Sequence, residues 1–272
     1  MNINMQQSFL PKNLTFLKAV TMPSWEEDRI LVLGHRGYMA KFPENTLLAY
    51  KKAIEAGADG VEVDVWLTKD GNVIALHDET LERTAKIRAN IKDMTLKELK
   101  KADVGMGEKI PTLREILEIL PKDSLINIEI KDVDAVEATY DIIKEYNAVN
   151  RTLISSFNIE ALHKARELDN KIKLGVLIGN EEIVGMLPKL KEELKLYSAN
   201  APMEGIPIIG FERFYQAVAW AKKLGFKMIL WTEIDELYYQ NDHLKRLKGL
   251  FDVVITDDIE KMFNLLREMG LR

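Results

Sequence analysis

Cysteine is absent from the 272 residues, which excludes disulfides and thiolate chemistry without fixing a compartment. An excess of positive charge is missing too. Lys and Arg total 38 against 43 Asp and Glu, a formal charge of −5 with a pI near 5.6. No broad footprint for nucleic acid or an anionic membrane is therefore expected, and an anionic substrate must be drawn in by local charge. Long uncharged apolar runs are lacking as well: none approaches the ~20 residues that span a bilayer. In the first 28 residues Lys12 and Lys18 interrupt the apolar pieces, and neither a secretory apolar core nor a small-residue cleavage site stands out. A soluble, cytoplasmic protein is expected. No repeat, low-complexity tract or linker divides the chain. The expectation is one domain over residues 29–272, preceded by an extension of residues 1–28.

Short β-rich runs alternate with longer helical patterns, the order of a parallel sheet with crossover helices. The strands expected are Ile30–Leu33, Val61–Val65, Ile126–Ile130, Thr152–Ser155, Lys173–Leu177, Met228–Trp231 and Val253–Thr256, with the sixth in chain order at either Leu196–Ala199 or Ile206–Ile209. Helical patterns cover Thr46–Ala56, Thr112–Leu120, Ala135–Tyr146, Ile159–Leu168, Phe211–Leu224 and Ile259–Met269. Eight such strands in a chain of this size, 47% hydrophobic, point to a (β/α)8 TIM barrel, which commonly occupies about 250 residues. One further run, Asn72–Leu76, follows Lys69-Asp70-Gly71 too closely for a parallel crossover and must fold back as a hairpin, bringing His77 to within a residue or two of Asp64. Residues 78–111 then form an insertion over the barrel mouth.

The anomaly in this pattern is chemical. In Val61-Glu62-Val63-Asp64-Val65 the valines share one strand face and the two carboxylates the other. Ile126 to Lys131 repeats the pattern, with Asn127, Glu129 and Lys131 opposite three isoleucines. In a closed barrel the branched faces pack on the helices, so Glu62, Asp64 and Glu129 point inward near the strands' C-terminal ends. Adjacent buried anions repel, and hard oxygen donors so placed suit Mg²⁺, Mn²⁺ or Ca²⁺. Any one of them alone could be a solvated edge residue or the partner of a buried arginine; three together favour a cation. His35, in Gly34-His35-Arg36-Gly37 after the first strand, and His77, through the hairpin, reach the same mouth. Two imidazoles there can divide proton removal and proton donation. His163 and His243 lie on helical patterns without such company and are expected to be structural. Arg36 and Lys131 can bind a phosphate or pair with the carboxylates. A metal, two histidines and two cations meet the demands of phosphodiester hydrolysis.

The chain resembles the glycerophosphodiester phosphodiesterase family. The resemblance rests on Gly34-His35-Arg36-Gly37, Pro43-Glu44-Asn45-Thr46, Gly60 to Val65, Leu67 to Gly71, Leu76 to Thr84, Ile110 to Leu113, Asn127 to Lys131, Ile154 to Phe157, Trp231-Thr232 and Ile255-Thr256-Asp257, in family order. It implies a TIM barrel with a small insertion and cleavage of glycerophosphodiesters to sn-glycerol 3-phosphate and an alcohol. One divalent metal ion would sit on Glu62, Asp64 and Glu129, with His35 and His77 as the catalytic pair. Arg36 and Lys131 would contact phosphate or glycerol, and Trp231 would wall the glycerol subsite, although an aromatic there is equally ordinary core. Glu44 is read as structural, ahead of a helix capped by Asn45 or Thr46. The chain departs from the family at Glu233-Ile234-Asp235, where Val-Asn is usual, and at Phe251 to Val254, which lacks the usual glycine; substrate choice is what these departures touch. Two other readings are carried forward. Apolar residues of the insertion, Ile87, Ile91, Met94, Leu96, Leu99 and Met106, suit an acyl wall for lysophospholipase D activity, and a barrel can persist as a non-catalytic phosphate binder.

Overall fold

A computed structural model describes residues 23–272. Its strands are β1 (Leu31–Gly34), β2 (Gly60–Leu67), β3 (Val73–Ala75), β4 (Leu125–Ile130), β5 (Thr152–Ser156), β6 (Lys173–Leu177), β7 (Ser198–Pro202), β8 (Lys227–Trp231) and β9 (Val253–Thr256). They order as β1-β9-β8-β7-β6-β5-β4-β2, and pairing of β1 with β2 closes a parallel eight-stranded barrel. The expected TIM barrel is the observed one. Only β3 runs antiparallel, as the short Lys69-Asp70-Gly71 connection requires: Val65 pairs with Ala75, and the Leu76 amide donates to the Asp64 carbonyl. Among the described residues, no helix is long and apolar enough to cross a membrane.

Strand periodicity sorts the side chains into two cores. Val61, Val63, Val65, Ile126, Ile128 and Ile130 face outward into a large cluster shared with the surrounding helices. Leu31, Leu33, Leu125, Leu153, Ile229, Val253 and Ile255 face inward and fill the lower barrel, and Trp25 plugs it from below. The Trp25 indole donates to the Arg151 carbonyl at 3.0 Å and packs edge-on against Tyr197. Strands β2 and β4 start in close contact: a Cβ on Gly60 would lie 2.1 Å from the Leu125 carbonyl oxygen, so only glycine fits.

The floor is clamped by Asp59. It accepts from the Val32 amide at 2.9 Å, from Arg29 at 2.8 Å and from Arg272 at 2.7 Å, tying both ends of the barrel chain to the β1–β2 junction. Burial alone would raise its carboxyl, but the two arginines and the amide hold it below the ordinary value. Because the folded value is depressed, this stabilisation is present above about pH 4 and is lost as pH falls through the folded value. Asp59→Asn is expected to cost about 2–3 kcal/mol at pH 7, the scale of a broken buried pair discounted for two partly exposed arginines. Urea denaturation should show the gap shrinking toward zero at acid pH, and a gap independent of pH would remove the ionic explanation.

Two expectations need amending. The sixth expected strand is β7, Ser198–Pro202, which overlaps the first alternative, while Gly205–Ile209 is a short helix. The apolar residues of the insertion mostly form its own core: Ile91 and Leu99 are fully buried with Ile74, Leu76 and Leu81, and Met94 and Leu96 pack against them. Only Ile87 and Met106 of that set are exposed, so the insertion offers no continuous acyl wall.

Candidate active site

The upper half of the barrel interior is polar because the inward positions change character along each strand. On β2 and β4 the inward residues become Glu62, Asp64 and Glu129, with Asp64 and Glu129 directly paired in register and Glu62 opposite Asn127. One oxygen from each of the three carboxylates lies within 4.8 Å of the others, and all three residues are buried. Arg36 and Lys131 hold this trio together. Lys131 Nζ lies 3.0 Å from Asp64 Oδ1 and 2.5 Å from Glu129 Oε1; Arg36 Nε lies 3.2 Å from Asp64 Oδ2. Arg36 also pairs with Glu44 at 3.3 Å and with Glu233.

The charges do not balance evenly over the three anions. Burial would raise Asp64, yet Lys131 and Arg36 keep it well below the usual carboxylate range. Glu62 and Glu129 are pushed up, in both cases mainly by burial and further by Asp64. Glu62 receives one donor, the Arg36 amide at 3.1 Å on Oε2, and its buried Oε1 has no hydrogen-bond partner. An orphaned carboxylate oxygen is costly. Two further anionic oxygens stand beside it, so the donor set fits a hard divalent cation.

The loop after β1 is built to deliver this arrangement. Arg36 adopts φ +50°, uncommon for a residue with a side chain, and this turn aims its amide at Glu62 while the guanidinium enters the carboxylate cluster. Asn45 likewise has φ +53°. Its side chain donates to Asp64 Oδ2 at 3.0 Å and accepts from the Tyr50 hydroxyl, leaving Thr46 to cap the helix Leu47–Glu55. Glu44 serves the site rather than the helix end, bridging Arg36 and Arg83.

Both histidines are held by the same device. His35 Nδ1 lies 2.7 Å from Asp257 Oδ1, and His77 Nδ1 lies 2.6 Å from Asp78 Oδ1, so each ring keeps Nε2 as its free nitrogen. Burial, the largest single influence, lowers the His35 ring, but the hydrogen bond to Asp257 together with the negative charges of Glu62 and Asp257 outweighs it, and the ring stands above its ordinary value. His77 is half-exposed, and its Nε2 lies 3.6 Å from Glu233. Trp231, at the end of β8, packs edge-on against Phe157 at 5.8 Å and donates to the Asn200 carbonyl at 3.3 Å. His243 is buried far from this constellation, stacked on Phe211 and bonded to the Leu237 carbonyl; His163 is exposed.

All eight residues singled out from the sequence lie at or near the C-terminal ends of barrel strands or in the loops that follow them. Missing from that set are Asp257, Asp78, Asn45, Glu233 and Asp235. Asp78 is adjacent to His77, and a carboxylate next to a candidate histidine was the available signal. Asp235, whose carboxyl burial and Asp257 push up to about 6, accepts from Thr256 and from the amides of Asp257 and Asp258, fixing the loop that presents Asp257. The Glu233-Ile234-Asp235 segment thus brings new carboxylates to the mouth.

The glycerophosphoryl diester phosphodiesterase family model matches residues 35–261. A glycerophosphodiester phosphodiesterase of Caldanaerobacter subterraneus subsp. tengcongensis is 38% identical over 89% of this chain and 100% of its own length. Among solved structures, a glycerophosphodiester phosphodiesterase from Thermotoga maritima aligns with a TM-score of 0.74 at 36% identity, over 88% of this chain and 99% of that one. A phosphodiesterase from Oleispira antarctica, solved in complex with its product sn-glycerol-3-phosphate, aligns with a TM-score of 0.77 at 27% identity, over 90% of this chain and 100% of that one.

Proposed function

Because the chain belongs to the glycerophosphoryl diester phosphodiesterase family, we propose that it hydrolyses glycerophosphodiesters to sn-glycerol 3-phosphate and an alcohol. The observation that carries this reading is the pair of imidazoles, each anchored through Nδ1 to a carboxylate, at the same barrel mouth as three clustered buried carboxylates. Glu62, Asp64 and Glu129 would hold one divalent cation, Mg²⁺, Ca²⁺ or Mn²⁺. Bound there, the cation supplies positive charge against the phosphate oxygens where negative charge builds in the transition state.

The chain's own residues do the rest. Arg36 and Lys131 bind the phosphate from the side of the carboxylates they already pair with, and Trp231 walls the glycerol. One of His35 and His77 takes the proton from the attacking oxygen, which is water or the glycerol hydroxyl of the substrate. The other gives a proton to the oxygen of the departing alcohol as its bond to phosphorus breaks. Asp257 and Asp78 keep each ring in the tautomer and orientation these transfers need.

Purified protein, assayed with each metal in turn on glycerophosphocholine and glycerophosphoethanolamine, is expected to release glycerol 3-phosphate. Binding of the diester without release would leave the non-catalytic barrel as the surviving reading.

A further inference from the structure

At the barrel floor, the end opposite the catalytic mouth, lies a cavity of about 400 Å³ whose lining is cationic. Lys173 and Lys227 stand at the first positions of β6 and β8. Arg166 and Lys191 come from the last turns of the helices Ile159–Leu168 and Glu181–Leu194, and Lys171 and Lys195 from the loops that follow those helices. Against these cations the lining holds one acid, Glu26, 3.3 Å from Lys173. Asp252 lies 3.9 Å from Lys227 but is already paired with Lys222 at 2.9 Å. Asp169 spends its carboxylate on the Tyr140 hydroxyl and the Lys171 amide. Among the described residues, Arg166, Lys171, Lys191 and Lys195 therefore have no carboxylate at ion-pair distance. Arg166 donates instead to the carbonyls of Leu194, Asp169 and Ile172, and Lys191 to that of Gly225. Burial lowers both, in Arg166 against a weaker pull from Asp169, which is the direction opposite to the one a close carboxylate partner imposes.

A helix C-terminus attracts cations, which accounts for Arg166 and Lys191 one at a time but not for the convergence. Two helix ends carry about half a negative charge each, so together they offset one of the four cations that lack a carboxylate and leave about three uncompensated. Residues 1–22 contain Lys12 and Lys18 and no acid, so they bring no counter-charge. In a chain of net charge −5, such a lining repels itself until an anion enters it.

We propose that the floor cavity is a binding site for a small soluble polyphosphate, a compound with two or three linked phosphates, inorganic or carried on a nucleoside. Charge and shape select this class. The uncompensated charge matches a di- or triphosphate, whereas a single phosphate leaves an excess. The space is concave and of a size that encloses small ligands, whereas a lipid surface presents its phosphates in a plane. Lys171 and Lys195 are exposed, so their ammonium groups can close on the ligand. Arg166 and Lys191, fixed by carbonyls, supply standing charge at the wall.

The N-terminal ends of barrel strands take no part in the chemistry of this fold, so the site is separate from catalysis and is tested without an activity assay.

The test is calorimetric titration of the full-length protein with sodium tripolyphosphate, at an ionic strength of about 50 mM and without added metal. One equivalent is expected to bind, with affinity falling at least about tenfold when salt is raised to about 500 mM. Lys171→Glu combined with Lys195→Glu is expected to weaken binding at least about tenfold. The same charge change at Lys51 and Lys97, in the helix Leu47–Glu55 and the insertion, is expected to leave affinity within about threefold of wild type. Should the floor variant fail to fold, Lys171→Gln with Lys195→Gln is measured in its place. Tighter binding of adenosine triphosphate than of tripolyphosphate would support a nucleoside carrier, and equal or weaker binding an inorganic chain; either result keeps the site. Absence of saturable binding up to about 1 mM would overturn the inference. So would equal weakening by the two pairs of reversals, which marks non-specific attraction, or citrate binding as tightly as tripolyphosphate. Binding that survives the floor variant and is displaced by glycerol 3-phosphate would place the anion at the catalytic mouth instead. Capture by phosphatidylglycerol vesicles without binding of tripolyphosphate would make the floor a membrane-facing surface and overturn the assignment to a soluble ligand.

Discussion

Alanine in place of His35 is expected to lower kcat on glycerophosphocholine by about 10²–10⁴-fold, and alanine in place of His77 by a similar factor, with KM changing far less. The reason is geometric. Each ring has Nδ1 occupied by a carboxylate at hydrogen-bond distance, so Nε2 is free to exchange a proton with substrate. Neither ring supports the fold in a way that would mimic this effect: His77 is half-exposed, and His35 sits in a loop whose backbone is held independently by the bond from its own amide to the Thr256 carbonyl. Thermal melting of the variants should therefore stay close to wild type. The two roles separate with an activated leaving group. A nitrophenyl diester departs without needing a proton, so the variant lacking the donor should recover most of its rate on it, and the variant lacking the base should not. Near wild-type rates in both variants on glycerophosphocholine would remove the proton-transfer assignment. Equal losses on both substrates would leave the division of labour unsupported.

The parts of this picture that could be read from sequence are those written in a local period. Alternation of valine or isoleucine with acids and amides located β2 and β4 and placed Glu62, Asp64 and Glu129 on the inner face, because period-two patterns survive any tertiary context. The hairpin to β3 was legible from the shortness of a turn, and His77 came with it. What escaped is instructive for the opposite reason. The strand β7, Ser-Ala-Asn-Ala-Pro, is nearly devoid of large apolar residues because its inward side chains, Ser198 and Asn200, belong to a polar middle layer of the barrel. A reading keyed to apolar runs drifted to its flanks. The long helix Glu181–Leu194 contains Gly185 and Pro188, two residues that ordinarily break helices, and so left no clear pattern. In the site, the carboxylate that orients His35 lies 222 residues away along the chain, and Asn45 reaches Asp64 only through a left-handed backbone turn. Closure of the barrel creates the first of these contacts and the loop conformation the second, and neither is present in any window of sequence.

Removal of divalent metal is expected to lower turnover by about 10³-fold or more, since the several kcal/mol a cation contributes at a phosphoryl transition state correspond to at least that factor. The expectation of a cation there, rather than another lysine, rests on the balance of charge. Glu62, Asp64 and Glu129 carry three potential negative charges against the two positive charges of Lys131 and Arg36, and Arg36 is shared further with Glu44 and Glu233. Lys131 forms ion pairs with Glu129 and one side of Asp64, whereas Glu62 Oε1 is buried with neither a hydrogen-bond nor an ion-pair partner among the described residues. Burial and the neighbouring anions push Glu62 and Glu129 upward, so a cation that binds must displace any proton they hold, and metal affinity should weaken as pH falls. Two readouts that need no turnover follow. Adding Mg²⁺, Mn²⁺ or Ca²⁺ to chelator-treated protein at neutral pH should raise its Tm, by the equivalent of about 2.7 kcal/mol at a hundredfold excess over Kd. Glu62→Gln, which keeps the shape but gives up an anionic oxygen, should shift the metal titration to higher concentration and leave the metal-free Tm unchanged or raised, because it relieves repulsion between Glu62 and Asp64. If instead these carboxylates serve only as partners for Arg36 and Lys131, Tm will not respond to metal, turnover will survive chelation, and Glu62→Gln will behave as a simple loss of one hydrogen-bond acceptor.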